Sequence, residues 1–391
     1  MLLTRQELGQ ILSQKYRDPS LSIVHTHLSP VSVGARNQLY RCKVRYQGKE
    51  QKGSDTLILK VYQSQVIDRH NQPVNSIALE GKILEIFNRV HLPMVPKLYL
   101  LDYKRHLAVM EDISSSTSAE SLAQESLKNQ LKFYQKILKA LARIHQEGNK
   151  RLNFLNFHSS KATDWYQLSF ISKTIQEDPY GRALYSTSEL QDLEHLIKET
   201  IPLLARMRLG FIHGDLNPNN ILMNASGEPV FVDWELARLG HTPVDMLDFL
   251  NRHPHKALEA SYKKDLLHYY LLALKTKQPL QSDITDNEKL FDTYNLLSNF
   301  MTVVLKTRGI LQIKIEAKTM EEVHQAIRFE EQVLHALENI EQRVCDDPLL
   351  GNLYALVIPF LHMLATLTQK AEFKKIKVEF RKDTVRLFPK N

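Results

Sequence analysis

Between His213 and Glu235 the chain reads His-Gly-Asp-Leu-Asn-Pro-Asn-Asn, then apolar Ile221-Leu222-Met223, then Asn224-Ala225-Ser226-Gly227. A second apolar run, Val230-Phe231-Val232, delivers Asp233-Trp234-Glu235. Two short apolar runs separated by Asn, Ser and Gly read as the strands of a hairpin, because those residues accept turn conformations at low cost. Three oxygen-bearing side chains, Asp215, Asn220 and Asp233, then fall at strand ends. Carboxylate and amide oxygens are the hard ligands that Mg²⁺ takes when it is shared with substrate phosphates. Singly, each residue would pass for part of a turn. The ordered set is what constrains the chain.

The block resembles the phosphate-transfer motif of the aminoglycoside phosphotransferase and choline kinase group, within the protein-kinase-like fold. His213-Gly214-Asp215 stands where protein kinases carry His-Arg-Asp, and Asp233-Trp234-Glu235 where they carry Asp-Phe-Gly. The resemblance implies Asp215 as general base toward a substrate hydroxyl, with Asn220 and Asp233 holding Mg²⁺. It casts His213 as an orienting residue. Asp245, in Pro243-Val244-Asp245-Met246-Leu247, resembles the family's later structural Asp and is expected to cap a helix and brace the catalytic loop. Glu235 is open between a contact to metal or cationic substrate and a surface charge.

Departures narrow the class. Gly214 replaces the Arg that receives an activation-loop phosphate, Asn217 replaces a Lys, and no Ala-Pro-Glu follows Asp233. A small-molecule kinase is therefore favoured over a protein kinase. The Asn-Tyr element that choline kinases carry after their metal Asp is also missing, which argues against choline as acceptor. The resemblance runs from about residue 30 to 255.

A phosphotransferase also needs a cation on the nucleotide phosphates. Leu57-Ile58-Leu59-Lys60 copies the third kinase strand, three apolar residues and then Lys. The preceding loop, Ser32 to Gln38, holds one glycine, Gly34, whose missing Cβ permits close approach to phosphate; an ordinary turn is the competing reading. On a helical wheel for residues 75–90, Leu79, Ile83, Ile86 and Val90 define the apolar face. Glu80 flanks that face and Glu85 points away, so Glu80 is the expected partner of Lys60. The resemblance places Met110 behind the adenine and gives Glu111 and Ile113 the backbone contacts to it.

At 391 residues the chain exceeds what one core usually fills, so two lobes are expected. Strand-like runs dominate up to Met110 and helical periodicity follows. The fold class is thus α+β, a two-lobed protein-kinase-like fold. Residues 1–113 form a small β-rich nucleotide-binding N-lobe, and 114–391 a large, mainly helical C-lobe with the catalytic loop, metal and acceptor site. Two cysteines, Cys42 and Cys345, give neither a disulfide framework nor a metal pattern, and a cytoplasmic setting is expected. Thr4 and Glu7 read as a capping box opening a helix rather than a leader segment. Pro348 to Gln369 lacks Asp, Glu, Lys and Arg, yet Asn352, Pro359 and His362 interrupt it, so a buried helix is preferred to a membrane span.

Residues 370–391 carry +5 of the chain's +7 net charge. A solvated end is preferred there over contact with anionic lipid, and no specific nucleic-acid partner is expected. The reading at this stage is transfer of the ATP γ-phosphate, with Mg²⁺, to a hydroxyl of an aminoglycoside-, amino-alcohol- or sugar-like small molecule. The rivals are a nucleotide-binding pseudokinase or scaffold, and an atypical protein or glycan kinase.

Overall fold

The computed structural model describes residues 2–33, 37–49, 51–62, 66–67, 73–74, 76–113, 126–152, 169–205, 209–251, 260–274, 281–317, 319–341 and 348–371. Gly34, Cys345 and the basic tail from residue 372 onward lie outside these, as does the serine-rich stretch 114–118. The fold is α+β and kinase-like, with a small antiparallel sheet near the N-terminus and a mainly helical C-terminal region. Two compact units are present: Met1–Phe157 with Gly210–Leu239, and His158–Leu209 with Gly240–Asn391.

The first unit opens with α1 (Arg5–Tyr16). Thr4 Oγ1 accepts from the Glu7 N–H at 3.2 Å, and Glu7 Oε2 accepts from the Thr4 N–H at 2.7 Å, closing the expected capping box. The helix buries Leu8, Ile11 and Leu12 against Val44, Leu57 and Leu59 of the sheet. That sheet runs in the order β1 (Ser22–Val33), β2 (Asn37–Gln47), β3 (Lys52–Tyr62), β7 (Leu107–Glu111), β6 (Leu98–Asp102). The two-residue strands β4 (Val66–Ile67) and β5 (Pro73–Val74) pair with each other. Successive side chains on a strand face opposite ways. Leu57 and Leu59 therefore meet α1, whereas Lys60 and Tyr62 turn to the other face, where Tyr62 joins Ile77 and Ala108.

Helix α2 (Ser76–Arg89) covers this second face. Its buried stripe differs from the one the hydrophobic wheel suggests. Ile77, Glu80, Ile83, Leu84 and Phe87 are buried, while Leu79 and Val90 are only partly so. Glu80 sits at the centre of the buried face, not on its flank. A wheel scores Glu as polar, so a glutamate that is buried with a partner rotates the apparent face away from itself.

Helix α3 (Leu127–Arg151) buries Tyr134, Leu138, Leu141 and His145 at helical spacing. It holds β8 (Gly210–Ile212) closely. A Cβ on Gly148 would lie 2.3 Å from the Phe211 ring, and Asn149 Oδ1 accepts from the Phe211 N–H at 2.6 Å. The hairpin β9 (Ile221–Met223) and β10 (Pro229–Phe231) follows, with the Asn224 to Gly227 turn between its strands.

The second unit is helical: α4 (Ser169–Glu177), α5 (Pro179–Leu184), α6 (Thr187–Ala205), α7 (Pro243–Asn251), α8 (Ala260–Leu274), α9 (Gln281–Glu316), α10 (Met320–Glu341) and α11 (Pro348–Lys370). Among the described residues α11 alone is long and apolar enough to cross a membrane. Its Leu350, Leu353, Val357, Phe360 and Leu361 are buried, Phe360 stacking on Phe300 of α9 at 6.0 Å. Asp245 is not the helix cap expected of it. It lies buried in the first turn of α7, because Pro243 takes the opening helical position and moves the cap upstream.

The capping box makes a checkable contribution. The hydrogen bond from the Thr4 N–H foremost, then those from the Arg105 and Thr4 side chains, hold the Glu7 carboxyl down to about 2 from an ordinary 4.5. A depressed folded-state pKa stabilises above the unfolded value and is lost as pH falls through the folded one. Denaturation of Glu7→Gln beside wild type should show wild type the more stable at neutral pH, the difference vanishing between about pH 4.5 and about pH 2. Thr4→Ala should cost about 1 kcal/mol.

Candidate active site

The site residues of the first unit come from four places: β3, α2, the loop after β8 and the turn after β10. Lys60, at the buried end of β3, directs Nζ to Glu80 Oε2 of α2 at 2.7 Å and to Asp233 Oδ1 at 2.5 Å. Lys60 is 3% exposed and Glu80 1%, whereas the Asp233 side chain is 37% exposed. Glu85 takes no part and pairs with Lys82 at 3.3 Å. Burial alone would lower the Lys60 pKa, but the charges of Glu80 and Asp233 outweigh it and hold the ammonium above its ordinary range. Burial raises the Glu80 carboxyl, an effect that Lys60 offsets and neighbouring Asp233 reinforces. One cation is shared by two carboxylates. One of these is locked in the core and the other partly open to solvent.

The turn carrying Asp233 is anchored by its neighbour. Trp234 is fully buried; its backbone N–H donates to Glu80 Oε1 at 3.3 Å and its Nε1–H to the Phe231 carbonyl at 3.1 Å. Its ring stacks on Phe211 at 5.8 Å, meets Phe87 edge-on at 5.7 Å and lies 4.4 Å from His213. Asp233 itself adopts φ 67° and ψ 64°, a left-handed conformation that Asp tolerates better than most residues.

The loop after β8 is held from both ends. Buried His213 donates from Nε2 to the Val232 carbonyl at 2.9 Å, tying the loop to the residue before Asp233. Gly214 has φ +82°, and a Cβ there would lie 2.2 Å from the Leu236 carbonyl oxygen. The absence of a side chain at this position is therefore required by geometry. Arg238 Nη1 bridges the Gly214 and Leu236 carbonyls, each at 3.1 Å, and so joins the two loops. Asp215 is partly exposed. Asn220 Nδ2 donates to the Asp215 carbonyl at 2.8 Å, which leaves its Oδ1 as the atom suited to a cation. Asn217 caps the short Pro218–Asn220 turn through the Asn219 N–H at 3.0 Å.

Met110 is buried opposite Ile58 near the end of β7, Glu111 ends that strand and buried Ile113 follows. Glu111 and Ile113 line a cavity of about 830 Å³ together with His91, Lys97, Tyr99 and Asn224. Lys60, Glu80, Met110 and Asp233 are not among its lining residues. Gly34 lies outside the described residues. Asn37 donates to Glu235, and sequence reasoning missed Arg238 and Tyr62, whose ring lies 5.2 Å from Lys60 Nζ. The period-2 spacing of Lys60 and Tyr62 was the available signal for the last.

A model of a phosphotransferase enzyme family matches residues 27–280. No curated protein matches the chain. Among solved structures, the chain is similar to the choline kinase LicA from Streptococcus pneumoniae, at 14% identity over 91% of this chain and 99% of that one, with a TM-score of 0.44. It is also similar to the amicoumacin kinase hAmiN, at 14% identity over 84% and 96% with a TM-score of 0.47. A third is APH(2")-IIa in its gentamicin complex, at 14% over 85% and 97% with a TM-score of 0.45. Likeness at such identities concerns fold alone.

The two glutamates of α2 separate cleanly in a stability measurement. Glu80→Ala strands a buried ammonium between fewer charges and should cost roughly 3–5 kcal/mol, the usual penalty for breaking a buried pair. Glu85→Ala removes an exposed pair and should stay within about 0.5 kcal/mol. Equal losses in urea melts would contradict the burial difference.

Proposed function

The chain belongs to the phosphotransferase enzyme family, and from that premise we propose that it moves the γ-phosphate of ATP, with Mg²⁺, to a hydroxyl of a small molecule. The observation that carries this reading is the shared cation: Lys60 held at 2.7 Å by Glu80 and at 2.5 Å by Asp233. Such a cation, fixed on one side and exchangeable on the other, suits a phosphate ligand. We assign residues 1–113 to nucleotide binding and 114–391 to the catalytic loop, metal and acceptor.

The donor set fits a hard cation. Asp233 supplies a carboxylate and Asn220 a neutral oxygen, the type of partial protein shell that Mg²⁺ completes with phosphate and water. When bound, that ion neutralises charge on the β- and γ-phosphate oxygens. Lys60 steadies the α- and β-phosphates, Glu80 keeps Lys60 in place, and Gly34 lets the loop backbone approach. Met110 backs the adenine, while Glu111 and Ile113 offer it their backbone groups. Asp215 accepts the proton of the acceptor hydroxyl as its oxygen bonds to phosphorus and the bond to the ADP oxygen breaks. Asn217 Nδ2, 3.4 Å from Asp215 Oδ2, helps orient that carboxylate.

A panel of hydroxylated metabolites with ATP and Mg²⁺, read by ADP release and by the phosphorylated product, tests the assignment. With an acceptor in hand, Asp215→Asn should keep Mg·ATP binding and lower turnover roughly 10²–10⁴-fold, the loss expected for a general base. Transfer at the wild-type rate would remove Asp215 from the mechanism. An inert wild type across the panel would favour a nucleotide-binding scaffold.

A further inference from the structure

Arg41 of β2 is paired in the sheet with Ile58 of β3, and Ile58 in turn with Met110 of β7. The three form one row across the sheet. Side chains two apart on a strand share a face, so Ile58 and its row lie on the face that carries Lys60. Arg41 Nε donates to Asp112 Oδ2 at 3.0 Å, and Asp112 comes two residues after Met110. Neighbouring strands lie about 4.8 Å apart, so β2 and β7 are separated by roughly 10 Å with β3 between them. The Arg41 side chain therefore crosses β3 at Ile58 to reach Asp112.

The contact is made through one nitrogen. A guanidinium presents its N–H groups as a planar fork, and a full pairing with carboxylate uses two nitrogens at once. Here Nε alone is committed, and Nη1 and Nη2 have no hydrogen-bond partner among the described residues. The Asp112 side chain is 7% exposed and that of Arg41 32%. The carboxylate is thus a buried anchor, and the guanidinium plane is the surface it presents.

The phosphotransferase reading gives this row a task. It assigns Lys60 to the phosphates, and Met110, Glu111 and Ile113 to the base. Ile58 precedes Lys60 by two residues, about 6.6 Å along the strand. Arg41 then crosses the sheet at the level of the base rather than of the phosphates. A planar cation fixed at one end suits a flat heteroaromatic ring, because guanidinium groups stack on such faces as well as attracting them.

We propose that Arg41 is a specificity-determining residue for the nucleotide base: with Asp112 holding Nε, the guanidinium plane stacks on the base while Lys60 is left to the phosphates. The proposal rests on the assignment of Lys60 to phosphate and of Met110, Glu111 and Ile113 to the base. Those three meet the base at its edge and rear, and Arg41 supplies contact to its face. Asp112 acts through Arg41 and is a positioning residue.

Two ligands offered to the full chain with Mg²⁺ separate base from phosphate. The non-hydrolysable analogue AMP-PNP carries both, and inorganic tripolyphosphate, read by displacement, carries only the latter. Arg41→Ala should weaken AMP-PNP binding roughly tenfold, on the order of a partly desolvated cation–π contact, and leave tripolyphosphate within about twofold. Arg41→Lys keeps a cation beside Asp112, which protects the fold, yet lacks the plane; it should still weaken AMP-PNP by at least about threefold. Asp112→Asn should weaken AMP-PNP less than Arg41→Ala does, and should add nothing in an Arg41→Ala background. Equal weakening of both ligands would make Arg41 a distant charge acting on phosphate and overturn the proposal. Full AMP-PNP affinity in Arg41→Lys would overturn it too, since charge alone would then suffice. If wild type binds both ligands and Arg41→Ala binds both as tightly, only the proposal falls. If wild type binds neither, the phosphotransferase reading falls and the proposal falls with it.

Discussion

The ammonium of Lys60 is the element on which the first unit turns. Burying a lysine is costly, and the cost is tolerable here because Glu80 and Asp233 both lie within hydrogen-bonding distance. Their attraction in a low-dielectric interior is far larger than at a surface. The arrangement is also unequal, since Glu80 is sealed beneath α2 whereas more than a third of the Asp233 side chain meets solvent. A symmetrical buried triad would be inert. An asymmetrical one has a fixed half, which keeps the lysine oriented, and a replaceable half, which under the proposed function a metal and phosphates compete for.

That replaceable half needs a rigid foundation, and it is largely aromatic. Trp234 follows Asp233 directly and is clamped among Phe87, Phe211 and His213, drawing on α2, β8 and the loop after β8 together. Because the Trp234 N–H also reaches Glu80, the two carboxylates that share Lys60 are coupled through backbone as well as through the ammonium. Packing at close distances fixes ring positions far more tightly than a surface loop fixes a charge. The apolar core therefore sets the geometry of the polar site.

How much of this was legible in the sequence depends on the range of the contact. The hairpin around Asn224 to Gly227 and the α1 capping box are local patterns, and each is present as expected. The pairing of Lys60 with Glu80 was reached by helix geometry although the wheel misplaced the buried stripe. Asp245 was misread as a cap because the motif comparison outweighed the plain helix-start preference of Pro243. Tyr62 and Arg238 were missed for a different reason. Their importance comes from cross-strand register and from carbonyls 24 residues away in sequence, as with Arg238 and Gly214, and no local pattern carries such information.

Gly214 and Asp233 show how the chain resolves a conflict between local and global demands. Both residues have positive φ, and Gly214 approaches the Leu236 carbonyl just beyond Asp233. The loop with Asp215 and the turn with Asp233 thus meet at a place where a Cβ does not fit on Gly214 and both residues depart from ordinary backbone dihedrals. A glycine removes the steric penalty on one side. An aspartate accepts it on the other, where its carboxylate is indispensable to the cluster. Arg238 then spans the junction and satisfies both carbonyls. Strain of this kind persists only where surrounding contacts over-determine the backbone. The fixed points here are the buried Trp234 and His213, so the strained junction is held by the same aromatic core that orients Asp233 toward Lys60.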